Sequence, residues 1–435
     1  MMSEAGASAA ARVDEMLPMS SEAAVESSDP RRTVIALCIL LAYQGFTMAI
    51  NGIGAPWIAK SFNLTETGIA TLYAWVSLSA IGALVLSRMA DRVGRQRVLF
   101  WCMLATPLAA LGAAISSSQV MFVCFDIIVY ACIGATVATA VVMLAEELPI
   151  AARARGQSFG GLAVGLGNGV CVVLMPLLVD SGYSWRWLLG LAGVGLFVTP
   201  FVARRIPESH RWVRVAASGR ARASRFYDVF TGNYRRRALP MLACFLFGTI
   251  AATATTSWGY YHAVSVVGLS AGAASVMTLV GGGVSMLGFP LGAWSANRFG
   301  RVPTVVFFGL LTAVGALLFY WGPPASCSVP AVWLAASFAW FMATINASTV
   351  AGNAAATELF PTALRGAMIG WFALIGAVAA VTSQAVIAVL ATPLGGLSVV
   401  VGYLGLLVIP SAIVFGACVD ETKGMSLELA SGELD

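Results

Sequence analysis

Ser87-Arg88-Met89-Ala90-Asp91-Arg92-Val93-Gly94-Arg95 returns 206 residues later as Ala293-Trp294-Ser295-Ala296-Asn297-Arg298-Phe299-Gly300-Arg301. Two further elements repeat at nearly the same offset. Glu146-x-x-Pro149-x-x-x-Arg153 comes back as Glu358-x-x-Pro361-x-x-x-Arg365, and Glu208, just past an apolar stretch, comes back as Glu421. These charges stand in a chain that is otherwise apolar. An internal duplication of that kind reads as a membrane transporter built from two matching halves.

Composition explains why the charges are confined to loops. Hydrophobic residues make up 59% of the chain and charged residues 10%, whereas a soluble domain carries about 25% charge. Lipid is therefore the solvent. Runs of about 20 apolar residues cross the hydrocarbon as helices, and twelve are predicted, at 33–55, 67–87, 97–116, 119–145, 156–179, 185–203, 238–262, 270–294, 302–322, 328–355, 366–391 and 396–419. The alternating pattern of a β-barrel is absent. The expected fold is an all-α membrane protein of twelve transmembrane helices in two pseudo-symmetric six-helix bundles.

Charge sets the expected orientation. With twelve spans both termini share one side, and that side holds 23 of the 25 Lys and Arg residues, leaving only Lys60 and Arg186 opposite. Positive loops stay cytoplasmic, so both termini are expected inside, with the protein in the cell inner membrane. The expected organisation is a disordered tail (1–32), a six-helix bundle (33–203), a basic linker (204–237), a second bundle (238–419) and a tail (420–435). The linker carries ten arginines against Glu208 and Asp228, which suits a segment lying on anionic lipid better than one that binds nucleic acid. The eight cysteines have no metal or redox spacing. No phosphate-cradling loop or nucleophile triad stands out, so an enzyme and a cofactor are not expected.

These residues carry a resemblance. The doubled S/G-x-x-x-D-R-x-G-R and E-x-x-P-x-x-x-R loops, the basic linker, and Trp185-Arg186-Trp187 resemble the major facilitator superfamily. Within it, Pro207-Glu208-Ser209-His210-Arg211-Trp212 and Glu421-Thr422-Lys423-Gly424 are similar to the sugar-porter and metabolite–proton-symporter branch. The resemblance implies alternating access and a gating lattice of loop charges: Asp91, Arg92, Arg95, Glu146, Arg153 and Glu208 in one half, Arg298, Arg301, Glu358, Arg365 and Glu421 in the other. Ion pairs between the halves would then hold the inner gate closed and separate when the site opens inward. Asn297 stands where an acid is expected.

The resemblance also implies that spans one, four, seven and ten line a central cavity. Those spans supply Gln44, Thr47, Asn51, Asp126, Tyr130, Thr256, Trp258, Tyr261, Trp340 and Asn346 as candidate substrate contacts. Several sugar-porter positions differ: Thr47 lies near the place of an acid, Gly161 replaces a glutamine and Asn353 a tryptophan. The D-G-x-D of aromatic-acid symporters reads Gln44-Gly45-Phe46-Thr47 here.

Asp126 is the one carboxylate well inside a span, about 10 Å from its start, and an intramembrane acid is a functional candidate by default. It reads as a proton-coupling group, as the counter-charge of a cationic solute, or as a carboxylate hydrated from the nearby surface. His262 reads as a solvated boundary residue. Glycines crowd spans five and eight, which suits helices at a sliding seam. The expected activity is secondary transport of a small organic solute (an organic acid, polyol or sugar-like metabolite), by import, with facilitation or proton symport. Multidrug efflux and a non-transporting solute sensor are the alternatives. The expected partners are the solute, protons and the bilayer, with the protein a monomer.

Overall fold

The computed structural model describes residues 30–147, 150–206, 227–231, 234–323 and 328–425. Twelve of its helices are long and apolar enough to cross a membrane: α1 Arg31–Ser61, α2 Glu66–Ala90, α3 Arg95–Ala114, α4 Gln119–Leu144, α5 Ser158–Asp180, α6 Arg186–Ala203, α7 Tyr234–Val266, α8 Ala271–Phe299, α9 Arg301–Tyr320, α10 Pro330–Ala356, α11 Ala367–Leu390 and α12 Leu397–Cys418. No strand occurs among the described residues. Each span satisfies its own backbone, as hydrocarbon demands. Polar residues mark some starts: the Thr65 hydroxyl accepts from Gly68 N–H at 3.2 Å, and Ser270 from Ala273 N–H at 3.2 Å.

The duplication in sequence is a duplication in packing. In the first bundle α1 runs along α5, α4 packs on α2 and α3, and α6 packs on α3. The second repeats this six helices on: α7 along α11, α10 on α8 and α9, α12 on α9. Even the helix breaks correspond. Leu78 interrupts α2 as Met286 and Leu287 interrupt α8; Gly193 interrupts α6 as Leu406 and Leu407 interrupt α12. The repeated loop turns at Gly94 and Gly300, both at φ +118°.

The glycines divide between two tasks. A Cβ on Gly45 would lie 2.1 Å from the Val164 carbonyl oxygen, and one on Gly167 1.8 Å from that of Ala42, so these two seat α5 on α1. Gly288 and Gly292 seat α8 on α10 in the same way. These four pack helices inside one bundle, not at a sliding seam. Gly165 and Gly169 do face the other half, opposite Met286 and Leu279 of α8.

Because the spans alternate, α1 starts and α12 ends on one face, here the terminal face; the other is the far face. Packing between the halves concentrates toward the far face. The outer segment of α2 lies on α11, the outer segment of α8 lies on α5, and the far ends of α1 and α7 meet. Two cross-half hydrogen bonds fall there. Ser275 donates to the Val172 carbonyl at 2.8 Å, and the Leu397 N–H donates to Glu66 Oε2 at 2.7 Å. Trp57 on Tyr260 and Tyr73 on Trp258 add ring contacts across the same boundary.

Candidate functional site

Helical spacing puts Gln44, Thr47 and Asn51 on one stripe of α1. Asn51 donates its side-chain amide to Asp126 Oδ2 on α4, and its carbonyl accepts the Tyr73 hydroxyl of α2 at 2.7 Å. One turn inward, the Tyr130 hydroxyl donates to the Met48 carbonyl at 2.7 Å. Asp126 is 1% exposed, so it is not the hydrated surface carboxylate that its position near a helix start allowed. No Lys, Arg or His is bonded to it among the described residues. Ionised in that setting, the carboxylate would hold a buried charge against one amide donor, an arrangement that strongly favours taking up a proton or a cation. Two turns inward from Asn51, Gln44 is fully buried and neither its amide oxygen nor its nitrogen has a partner. Thr47 turns its hydroxyl back onto the Tyr43 carbonyl.

The second bundle meets this cluster with aromatic groups. Trp258 is wholly buried, donates to Gln384 Oε1 at 3.0 Å, and packs its ring 5.4 Å from Tyr73 and 5.5 Å from Tyr261. Trp258 and Tyr261 thus seal the far face. His262 opens a single π-helical turn, is 2% exposed, and shares a 2.7 Å hydrogen bond with Ser398. It is a packed residue of the second bundle, not a solvated one. Asn346 donates to the Ser285 carbonyl at the α8 break. Thr256 is exposed and bonded back to Ala252. Trp340 is 47% exposed and donates to Leu311 of α9. Since α9 packs on α10 and α12 at the periphery, Trp340 is turned away from the boundary between the halves, contrary to its expected place in the cavity.

A recess of about 240 Å³ lies between α7 and α10, in their halves nearer the terminal face. Phe245, Thr249, Ser348, Asn353, Phe372 and Ser411 contribute its rings and polar atoms. Sequence reading passed over Phe245, Thr249, Ser348 and Ser411. Their signal was helical spacing, with Phe245, Thr249 and Ala252 on one face of α7, and not polarity at the outer third of the span.

The loop charges of the second half form a compact cluster. Arg301 grips Glu358 with both Nε (3.2 Å) and Nη2 (2.9 Å), and Thr422 donates to the same carboxylate. Glu421 accepts from the N–H groups of Arg301, Val302 and Lys423, each at 2.9 Å, at the start of α9. Burial pushes the Glu421 carboxyl up, but these backbone donors outweigh it and hold its pKa below the ordinary value. Gly300 leaves room for that carboxylate: a Cβ there would stand 2.5 Å from Glu421 Oε2. These pairs join parts of one bundle. With packing between the halves concentrated toward the far face, Arg301, Glu358 and Glu421 pair within the second bundle, where the start of α9 lies beside the end of α12; bridges between the halves at the terminal face are expected only when that face closes. Arg298 is exposed, and its carbonyl accepts from Lys423. Arg92 is exposed and Arg95 half-buried. Glu208 and the side chains of Asp91, Glu146, Arg153 and Arg365 lie outside the described residues.

On the far face Arg186 closes α3, donating to the carbonyls of Ala114 (3.0 Å) and Ser116 (2.8 Å).

Comparison with known proteins agrees with this architecture. The family model for the Major Facilitator Superfamily matches residues 35–384. The chain is 23% identical over 347 residues to the gentisate transporter of Corynebacterium glutamicum, covering 78% of this chain and 77% of that one. It is 24% identical over 394 residues to a probable 4-methylmuconolactone transporter of Cupriavidus pinatubonensis, covering 89% and 90%. The crystal structure of a D-xylose–proton symporter superposes with a TM-score of 0.71 at 18% identity, over 91% of this chain and 99% of that chain. The chain belongs to the major facilitator superfamily. It is a multi-pass membrane protein and a secondary transporter of a small organic solute by alternating access, not an enzyme.

Proposed function

We propose that the protein is a proton-driven importer of a small organic acid bearing a ring, with Asp126 as the group that carries the proton. The observation that carries this reading is the setting of Asp126: buried, held among the described residues by the Asn51 amide, and placed against the far-face seal. A proton taken up when the far face opens neutralises the carboxylate before the seal re-forms. Its release on the other side completes the cycle. The solute class is supported by the gentisate transporter as a relative and by a recess that combines Phe245 and Phe372 with hydroxyl and amide groups. Because no Lys or Arg lies deep in a span, the carboxylate of the solute would be met by hydroxyls, amides and helix ends. Gln44, with its unsatisfied amide, is the foremost candidate in the first bundle.

The positive-inside asymmetry supports a cytoplasmic terminal face, with the protein in the cell inner membrane. The two bundles, joined by the basic linker, would act within one monomer. The loop clusters would fix the terminal-face ends of each bundle as rigid units, a role that the contacts of Arg301, Glu358 and Glu421 support for the second.

Gentisate uptake into proteoliposomes under an imposed pH gradient tests the proposal. Wild-type protein should accumulate gentisate when the lumen is alkaline. Asp126→Asn should exchange it across the membrane without accumulating it. Accumulation by Asp126→Asn equal to wild type would refute the coupling role. Failure of wild type to move gentisate or other hydroxybenzoates would refute the solute class.

A further inference from the structure

We infer that Tyr73, on α2, is the positioning residue that ties the Asn51–Asp126 pair to the seal between the halves. This rests on the proposed coupling role of Asp126. Tyr73 touches both parts. Its hydroxyl donates to the Asn51 carbonyl at 2.7 Å, and Asn51 in turn donates to Asp126. Its ring lies 5.4 Å from Trp258 of the opposite bundle, tilted by 47°. Trp258 is fixed from behind by Gln384 and Tyr261. The side chain is 7% exposed, so neither contact is shared with bulk water.

A rigid phenol in this position makes two events one. While the far face is closed, Trp258 presses on the ring, the hydroxyl stays on Asn51, and Asn51 keeps its amide on the carboxylate. When the halves part, Trp258 withdraws with the second bundle. The ring loses its stop, the hydroxyl can leave the Asn51 carbonyl, and water reaches the pair. Seal and carboxylate therefore change state together. The titratable neighbours are the phenols Tyr73 and Tyr130, Tyr261 from α7, and the Cys171 thiol from α5. The free thiols of Cys102 on α3 and Cys132 on α4 neighbour each other further from the far face. Phenols and thiols ordinarily titrate well above a carboxylate, and Glu66 at the start of α2 is the other carboxylate near Tyr261, so a pH midpoint that Glu66→Gln leaves in place and Asp126→Asn abolishes reports Asp126.

Two variants separate the functions of the ring and the hydroxyl. Tyr73→Phe keeps the ring on Trp258 and removes the bond to Asn51. It should leave hydrogen–deuterium exchange of residues 48–61 and 256–266 at the wild-type rate, yet shift the pH midpoint of gentisate accumulation by about one unit, the weight of a single hydrogen bond. Tyr73→Leu removes the ring and should raise exchange in those segments about tenfold or more, with no solute present. A Tyr73→Phe profile that superposes on wild type overturns the inference, whether or not Tyr73→Leu loosens the seal. Unchanged exchange in Tyr73→Leu overturns it as well. If Asp126→Asn keeps the wild-type pH profile, the coupling reading fails on its own account, and the exchange measurement still tells whether Tyr73 holds the seal.

Discussion

Glu66→Ala provides a direct perturbation of the balance between the two faces. Glu66 stands at the start of α2 in the first bundle, and its carboxylate accepts the Leu397 N–H at the start of α12 in the second, at 2.7 Å. Its donor and acceptor belong to opposite bundles, so parting of the far face would break it. A hydrogen bond to a charged group contributes about 1.5–3 kcal/mol, and a carboxylate at a helix start adds about 0.3–1 kcal/mol. Glu66 is half-buried, and solvent screening reduces the sum to about 1–2 kcal/mol. Removing it should move the closed-to-open ratio of the far face about 5- to 30-fold toward open. Glu66→Gln keeps an acceptor without the charge and should fall between. Double electron–electron resonance between labels at the far ends of α2 and α12 reads this ratio as the weight of a longer distance. Where the open state is the minor one, apparent affinity for external gentisate should improve by the same factor. An unchanged distance distribution in Glu66→Ala would show that the bond does not hold the face closed.

Three other outcomes follow from the same geometry. Gly300→Ala forces a Cβ at φ +118° to within 2.5 Å of a carboxylate already held by three backbone amides; the expected loss is about 2–4 kcal/mol, and a thermal midpoint equal to wild type would contradict it. The Glu421 carboxyl is held below its ordinary value of 4.5, so its stabilisation is present above that value and is lost as pH falls through the depressed folded-state value. Glu421→Gln should therefore melt earlier than wild type at pH 7, and the gap should shrink on acidification below pH 4.5; a gap that stays constant argues against it. Gln44→Leu removes a buried amide with no partner, an arrangement that costs about 1–3 kcal/mol. Scanning fluorimetry should show a melting point raised by a few degrees together with weakened gentisate binding, and a lower melting point would mean that the amide is satisfied.

The architecture was legible because its signals are one-dimensional. Span length follows directly from apolar run length, and the repeated loops show that the second six helices copy the first. What the sequence hid depends on helix azimuth. Asp126 stands out as a lone acid in hydrocarbon, but its partner Asn51 is 75 positions away, and only the packing of α1 on α4 joins them. Tyr73, near the start of its span, reads like one more aromatic at the membrane boundary until the opposite bundle is in place. The same proximity to a boundary made His262 look solvated, whereas the π turn and Ser398 keep it packed. The loop charges show which residues are paired in principle. Whether Arg301 reaches its own bundle or the other depends on how the α9 start sits beside the α12 end, which spacing does not record. Trp340 illustrates the converse: a polar aromatic at the right depth, on the wrong side of its helix.

Alternating access requires the two bundles to tilt against each other, so that one face closes as the other opens. The most direct measurement is a pair of double electron–electron resonance distances in lipid nanodiscs, with spin labels on unnatural amino acids. One pair spans the far ends of α2 and α11, and the other the terminal-face ends of α5 and α8. Under a rocking motion, pH and gentisate should shift the two distributions in opposite directions, the far-face distance lengthening as the terminal-face distance shortens. Distances that stay fixed at both faces, or lengthen together, would contradict it.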